Sequence, residues 1–155
     1  MSIYSNKVGL RNVGSYMVSG TPWVTGSTSF TAEKTIQHSF PNVTKSFTVI
    51  NKGTVDIIIH FHEGQSQNPH SLSANGVDGV GGAKVFTNTD NYYANKNYIT
   101  VPANDGAVTL DVKIKVLYLS TPTATTAGAY ELYAELTEIP ADSMYALSGS
   151  GITGT

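Results

Sequence analysis

The stretch AVTLDVKIKVLYLS, residues 107–120, decides how the chain is read. Val108, Leu110, Val112, Ile114, Val116 and Tyr118 alternate with Thr109, Asp111, Lys113 and Lys115. Side chains two apart on an extended backbone point to the same face, so this pattern predicts a strand with one face in a core. The odd-numbered positions turn apolar at Leu117 and Leu119, which predicts cover on both faces at that end. AYELYAELTEI, residues 129–139, behaves alike: Tyr130, Leu132, Ala134 and Leu136 face one way, Glu131, Tyr133 and Glu135 the other. Its Ala, Glu and Leu content would permit a helix, but period two fits better.

Working outward, turn residues punctuate the chain. Asn104-Asp105-Gly106 precedes the long strand, and Asn51-Lys52-Gly53 separates TKSFTVI from TVDIIIHFH. A glycine at the last turn position readily takes a positive φ, which suits a short hairpin loop with a bulge. Strands are predicted near 15–19, 35–40, 44–50, 55–62, 84–87, 98–101, 107–119 and 129–138. Short strands with Gly and Asn turns predict an all-β fold, a single antiparallel β-sandwich or jelly roll.

Composition agrees. The 155 residues suit one domain, 40 % are hydrophobic, and only 13 % are charged. The polar remainder is rich in Thr, Ser, Asn and Gly, residues of strands and turns rather than helices. Net charge is −2 and no Lys/Arg cluster occurs, so nucleic-acid binding is not expected. No apolar run is long enough for a membrane helix, and MSIYSNKVGLRN lacks the charged-then-apolar order of a secretory signal. Asn42-Val43-Thr44 matches a glycosylation acceptor, a chance match without a secretory route. The absence of cysteine excludes disulfides and thiolate metal sites.

Between Glu63 and Asn97 the pattern breaks into a polar, Gly-rich insertion, residues 63–97. The predicted organisation is an N-terminal arm over 1–14, a sandwich domain over 15–142 and a C-terminal arm over 143–155. Both ends hold too few apolar residues to fold back as packed elements. Such ends fray in a lone domain, so neighbouring subunits are expected to hold them.

The first candidate for chemistry is DIIIHFHEGQSQNPH, residues 56–70, which holds three of the four histidines. His60 and His62 share a strand face, as metal-binding pairs do, while Ile57, Ile59 and Phe61 face the core. A zinc site needs three or four ligands, and only His38, His70 or Glu63 could complete one. Half-exposed imidazoles on a strand face or at a subunit contact are the simpler expectation. GVDGVGGAK fits neither phosphate-loop pattern, because Ala83 precedes Lys84 and no helix signal follows. Asp78, Asp90 and Asp105 lack calcium-loop spacing. No G-x-S-x-G motif is present. Glu131 and Glu135 share a face and could in principle act on sugars, but with Glu138 they are more simply a solvated surface. No enzyme, metal or cofactor is therefore expected. Nine tyrosines and the single Trp23 instead suggest contacts, with Tyr16, Trp23, Tyr92, Tyr93, Tyr98, Met144, Tyr145 and Leu147 as interface candidates.

Residues 7–27, KVGLRNVGSYMVSGTPWVTGS, and residues 139–155, IPADSMYALSGSGITGT, resemble the ends of small virion proteins of marine tailed bacteriophages, including cyanophages. FPNVTKSFTVINKG, residues 40–53, resembles that family as well, whereas the insertion does not. The resemblance implies a non-enzymatic structural protein, a capsid decoration or cement protein with a β-sandwich core. It implies made-in-host, virion-bound copies on the capsid surface, a homotrimer, and the major capsid protein or another virion protein as partner. An alternative is a host-receptor or glycan-binding module of a tail or head fibre, using the insertion with Tyr92, Tyr93 and Tyr98.

Overall fold

A computed structural model describes residues 9–10, 13, 20–30, 34–61, 77–78, 84–87, 98–121, 127–149 and 152. Its strands are β1 (Thr21–Phe30), β2 (Lys34–Ser39), β3 (Asn42–Asn51), β4 (Ile57–His60), β5 (Val77–Asp78), β6 (Lys84–Thr87), β7 (Ile99–Val101), β8 (Ala107–Leu110), β9 (Val116–Ser120) and β10 (Gly128–Pro140). One sheet runs β1-β10-β3-β8 and the other β5-β6-β2-β9-β4-β7, with every neighbouring pair antiparallel. The two pack face to face as a β-sandwich.

The order of pairing is specific. With the short β5–β6 ribbon set aside, the chain pairs first strand with last and works inward: β1–β10, β2–β9, β3–β8, β4–β7. β10–β3 and β9–β4 then wrap this folded ribbon into two sheets. That nested pairing is the jelly roll. β5 and β6 lie inside the predicted insertion and extend the second sheet beside β2.

The core is what the alternating pattern supplies. Phe47, Val49, Leu132, Ala134 and Leu136 of the first sheet meet Ile36, Ile57, Ile59, Leu117 and Leu119 of the second. Each large side chain removed from water contributes about 1.5–3 kcal/mol. Val43, Ile139 and Met144 form a smaller cluster, with Leu10 and Leu147 packed against it. So the C-terminal segment folds back as far as Leu147, contrary to the expectation for 143–155, because its two apolar side chains find a ready apolar floor.

Three further expectations are corrected. The strand foreseen over 107–119 is two strands, β8 and β9, in different sheets, joined by irregular backbone over 111–115. The crossing is pinned by buried Thr44, whose hydroxyl donates to the Val112 carbonyl (2.7 Å) and accepts from the Ile114 N–H (3.1 Å). The two Gly-containing turns are corners between sheets, not hairpins. Asn104 and Asp105 take the positive φ angles, 58° and 65°. Gly106 is needed for a different reason: a Cβ there would lie 2.3 Å from the Pro102 carbonyl oxygen. Fully buried Asn51 ties the corners together, donating to the carbonyls of Val55 (2.7 Å) and Val101 (3.1 Å) and accepting from the Gly53 N–H (2.9 Å). Finally, β1 is missing from the strands predicted above, although Pro22-Trp23 reads as a strand start, because TPWVTGSTSF carries Pro, Gly and Ser and only Trp23 among its inward positions is apolar. The strand expected at 15–19 lies outside the described residues.

Candidate functional site

Part of the second sheet is buried on both faces. Ile57 and Ile59 face the core, as expected, but Ile58 and His60 on the opposite face are buried as well. Beside them lie Tyr118, Ser120 and Thr35, also buried. His60 sits opposite Tyr118 across the strand pair, with the rings stacked at 5.4 Å and 19°. Its Nε2 is 2.8 Å from the Ser120 hydroxyl, which is 2.7 Å from the Thr35 hydroxyl. A histidine with 0 % exposure, stacked and hydrogen-bonded in this way, is a packed polar residue rather than the half-exposed imidazole expected.

His38 cannot join it. β9 separates β2 from β4, and His38 points inward while His60 points outward. The His38 ring meets Trp23 and Tyr130 edge-on, at 5.8 and 5.6 Å, and its Nε2 lies 2.8 Å from the Tyr130 hydroxyl. Burial lowers the His38 pKa to about 4 and raises that of Tyr130. His62, His70 and Glu63 lie outside the described residues, among which no three His, Asp or Glu side chains converge as metal ligands.

The glutamates are placed on the outer face of the first sheet. Glu131 and Glu135 are four residues apart along β10, roughly 13 Å of extended chain, against the 5–9.5 Å that paired glycosidase carboxylates need. Glu135 instead lies 3.7 Å from the Lys45 ammonium and accepts from the Tyr133 hydroxyl at 3.4 Å. Asp105 pairs with Lys52, whose pKa that hydrogen bond raises. Asp90 lies outside the described residues.

The interface candidates divide. Tyr16, Tyr92 and Tyr93 lie outside the described residues. Trp23 packs against the core, edge-on to Phe40 at 4.9 Å, and Met144 is buried. Tyr98 is half-buried before β7. Tyr145 is 72 % exposed, and with Leu147, Phe61, Tyr118, Gln37 and Lys115 it lines a hollow of about 320 Å³. Lys115 fixes that tail by donating to the Met144 carbonyl at 2.8 Å.

No relative emerges from comparison. Family models, curated proteins and solved structures all return no match.

The remaining surface feature is one the pattern of single strands concealed. Register places Val24, Tyr133, Thr48 and Thr109 side by side across all four strands of the first sheet. Val24 is 71 % exposed, Tyr133 is exposed, and the Thr48 and Thr109 hydroxyls bond each other at 2.8 Å. This row offers an open, weakly polar face suited to contact with another surface, whereas Thr35, Ile58, His60, Tyr118 and Ser120 on the outer face of the second sheet are buried. Tyr133 and Thr109 were marked in the sequence, each as an outward residue of its own strand. The rest needed the register.

Proposed function

We propose that this protein is a structural component of a phage virion, a capsid decoration protein that stabilises the head lattice by binding it and its own copies. The observation that carries the reading is the jelly roll whose first sheet keeps an exposed outer row while Ile58, His60, Tyr118 and Ser120 are buried on the outer face of the second. Such a body can lie face-down on a lattice without exposing its core. Jelly rolls recur among viral capsid and lectin domains, though a fold alone assigns no function. The resemblance of residues 7–27, 40–53 and 139–155 to small virion proteins supports the same reading. Modest single contacts repeated over a lattice gain strength through avidity.

The test is made on particles. Purified virions should contain the protein at high copy number on the head, and particles lacking it should burst at lower temperature and under milder osmotic shock. Particles that carry none of it, or keep the same stability without it, would overturn the reading. A second reading, recognition of a host glycan, is favoured by the aromatic hollow at Tyr145 and Tyr118. Glycan-array binding that disappears in Tyr145→Ala would support it over the first.

A further inference from the structure

A sheet edge presents unpaired N–H and C=O groups, and proteins usually blunt it by shortness, charge or cover. Three edges among the described residues are short: β5 has two residues, β7 three and β8 four. β8 also leads straight into Asp111 and Lys113. β1 is different. It is ten residues long, TPWVTGSTSF, without one charged side chain. Its blunting features, Pro22 and the register irregularity between Ser27 and Phe30, lie toward its two ends and leave the stretch from Trp23 to Ser27 for pairing. One side pairs with β10. Beyond that ladder, the hydrogen bonding found for residues 21–29 is local, with the Ser29 N–H donating to the Ser27 hydroxyl at 3.3 Å. At its start Thr21, Pro22 and Trp23 border a hollow of about 350 Å³ with Pro41 and Leu136.

We propose that the free edge of β1 pairs antiparallel with the same edge of a second copy across a two-fold axis, joining two four-stranded sheets into one continuous sheet. A two-fold contact sets each strand against its own copy, and this strand suits itself. With no charge on β1, self-pairing places no like charges in opposition, and a charged foreign strand would find no counter-charge there. The nearest acids, Glu131 and Glu135, stand one strand inward. In the joined sheet they face their counterparts across three strand spacings, roughly 14 Å, beyond the ~8 Å screening length at physiological salt. Pairing also continues the exposed Val24–Tyr133 row across the axis. A single strand edge is smaller than the ~800 Å² per partner of a standard interface, so the dimer is weak and concentration-dependent. The pairing does not depend on the virion reading.

The chain has no cysteine, so a single introduced one can form a disulfide only with another copy. Single cysteines would be placed at Pro22, Val24, Thr25, Ser27 and Thr28, with Thr48→Cys and Thr109→Cys as controls on the same sheet. Gly26 is left alone, because a Cβ there would lie 2.7 Å from the Tyr130 carbonyl oxygen. Cross-strand Cβ atoms approach disulfide distance only near the axis. Under mild oxidation, one position or two adjacent ones on β1 should therefore cross-link about tenfold faster than the controls, with rates falling away on both sides. Cross-linking on β1 no faster than at the controls would overturn the proposal. Sedimentation gives a second readout: wild-type protein should dimerise with rising concentration, and Val24→Lys/Thr28→Lys should weaken the dimer at least about tenfold while folding normally, since both residues are exposed. A wild type that stays monomeric up to about 1 mM overturns it equally. So does cross-linking of the β1 cysteines, in assembled particles, to a different protein and not to a second copy, which would assign the edge to another protein's strand. Absence of the protein from particles would defeat the virion reading alone.

Discussion

His38 lies between the sheets with its Nε2 committed to the Tyr130 hydroxyl and Trp23 against its ring. Its folded pKa, about 4, is below the ordinary 6.5, because burial disfavours the imidazolium. The unfolded chain therefore binds more protons between those values, and stability from this residue is complete above pH 6.5 and lost as pH falls toward 4. The gap corresponds to about 3 kcal/mol. Urea midpoints measured from pH 7.5 to 4 should fall steeply for the wild type and less so for His38→Gln; equal slopes would show that another group controls the acid limb. The turn Asn104-Asp105-Gly106 was legible, but its division of labour was not: the positive φ angles fall on Asn104 and Asp105, and Gly106 serves the close approach to Pro102. Gly106→Ala is expected to cost about 2 kcal/mol or more, since the obstructing atom is backbone. Gly9→Ala, which would meet nothing within 4 Å, should leave the thermal midpoint unchanged. His60 was legible as facing away from Ile57 and Ile59. Its burial was not, because it depends on a neighbouring strand supplying Tyr118 and Ser120.

Among the elements, period two located β10 and most of β3, while apolar runs marked β4 and β9, which are buried on both faces. The change of apolar parity between Ile114 and Leu117 was also visible, and Tyr118 and Ser120 are indeed buried opposite the core face. What alternation could not reveal is that the parity change coincides with a crossing from one sheet to the other. The device that holds the crossing, Thr44, is nearly seventy residues away in sequence, with |i−j| of 68 to Val112. Thr44→Val keeps the shape but leaves the Ile114 N–H without its acceptor in a buried place, at a cost of about 1–3 kcal/mol. Thr44→Ser should retain most of the stability. Guanidinium unfolding of the two variants side by side distinguishes a lost hydrogen bond from a lost methyl. β1 escaped notice for the opposite reason. An edge strand with one apolar inward side chain carries little period-two signal, and its place is set by β10 rather than by its own pattern.

For the whole molecule, the nested pairing of the jelly roll joins strands as far apart as β1 and β10, so no local pattern could have specified it. All-β class and sandwich packing were legible from composition and period; the order of strands was not. That order determines which faces remain open. The first sheet keeps an exposed outer row, and β10 runs through the middle of that sheet with Leu132 inward and Tyr133 outward. Two substitutions one residue apart should then behave oppositely. Leu132→Ala removes a fully buried side chain and should cost about 2–5 kcal/mol in a denaturant titration. Tyr133→Ser, on the open face, should change stability by no more than about 0.5 kcal/mol. If that face is the one laid against a capsid lattice, the order reverses in a binding assay. Tyr133→Ser should then reduce occupancy on particles stripped of the protein and re-loaded, at protein concentrations where the wild type saturates them. A Tyr133 variant that re-loads as well as the wild type would move the contact elsewhere, to the edge of β1 or the hollow beside Tyr145, while leaving the fold assignment intact. The pair separates what holds the sandwich together from what the sandwich presents, which are different residues on the same strand.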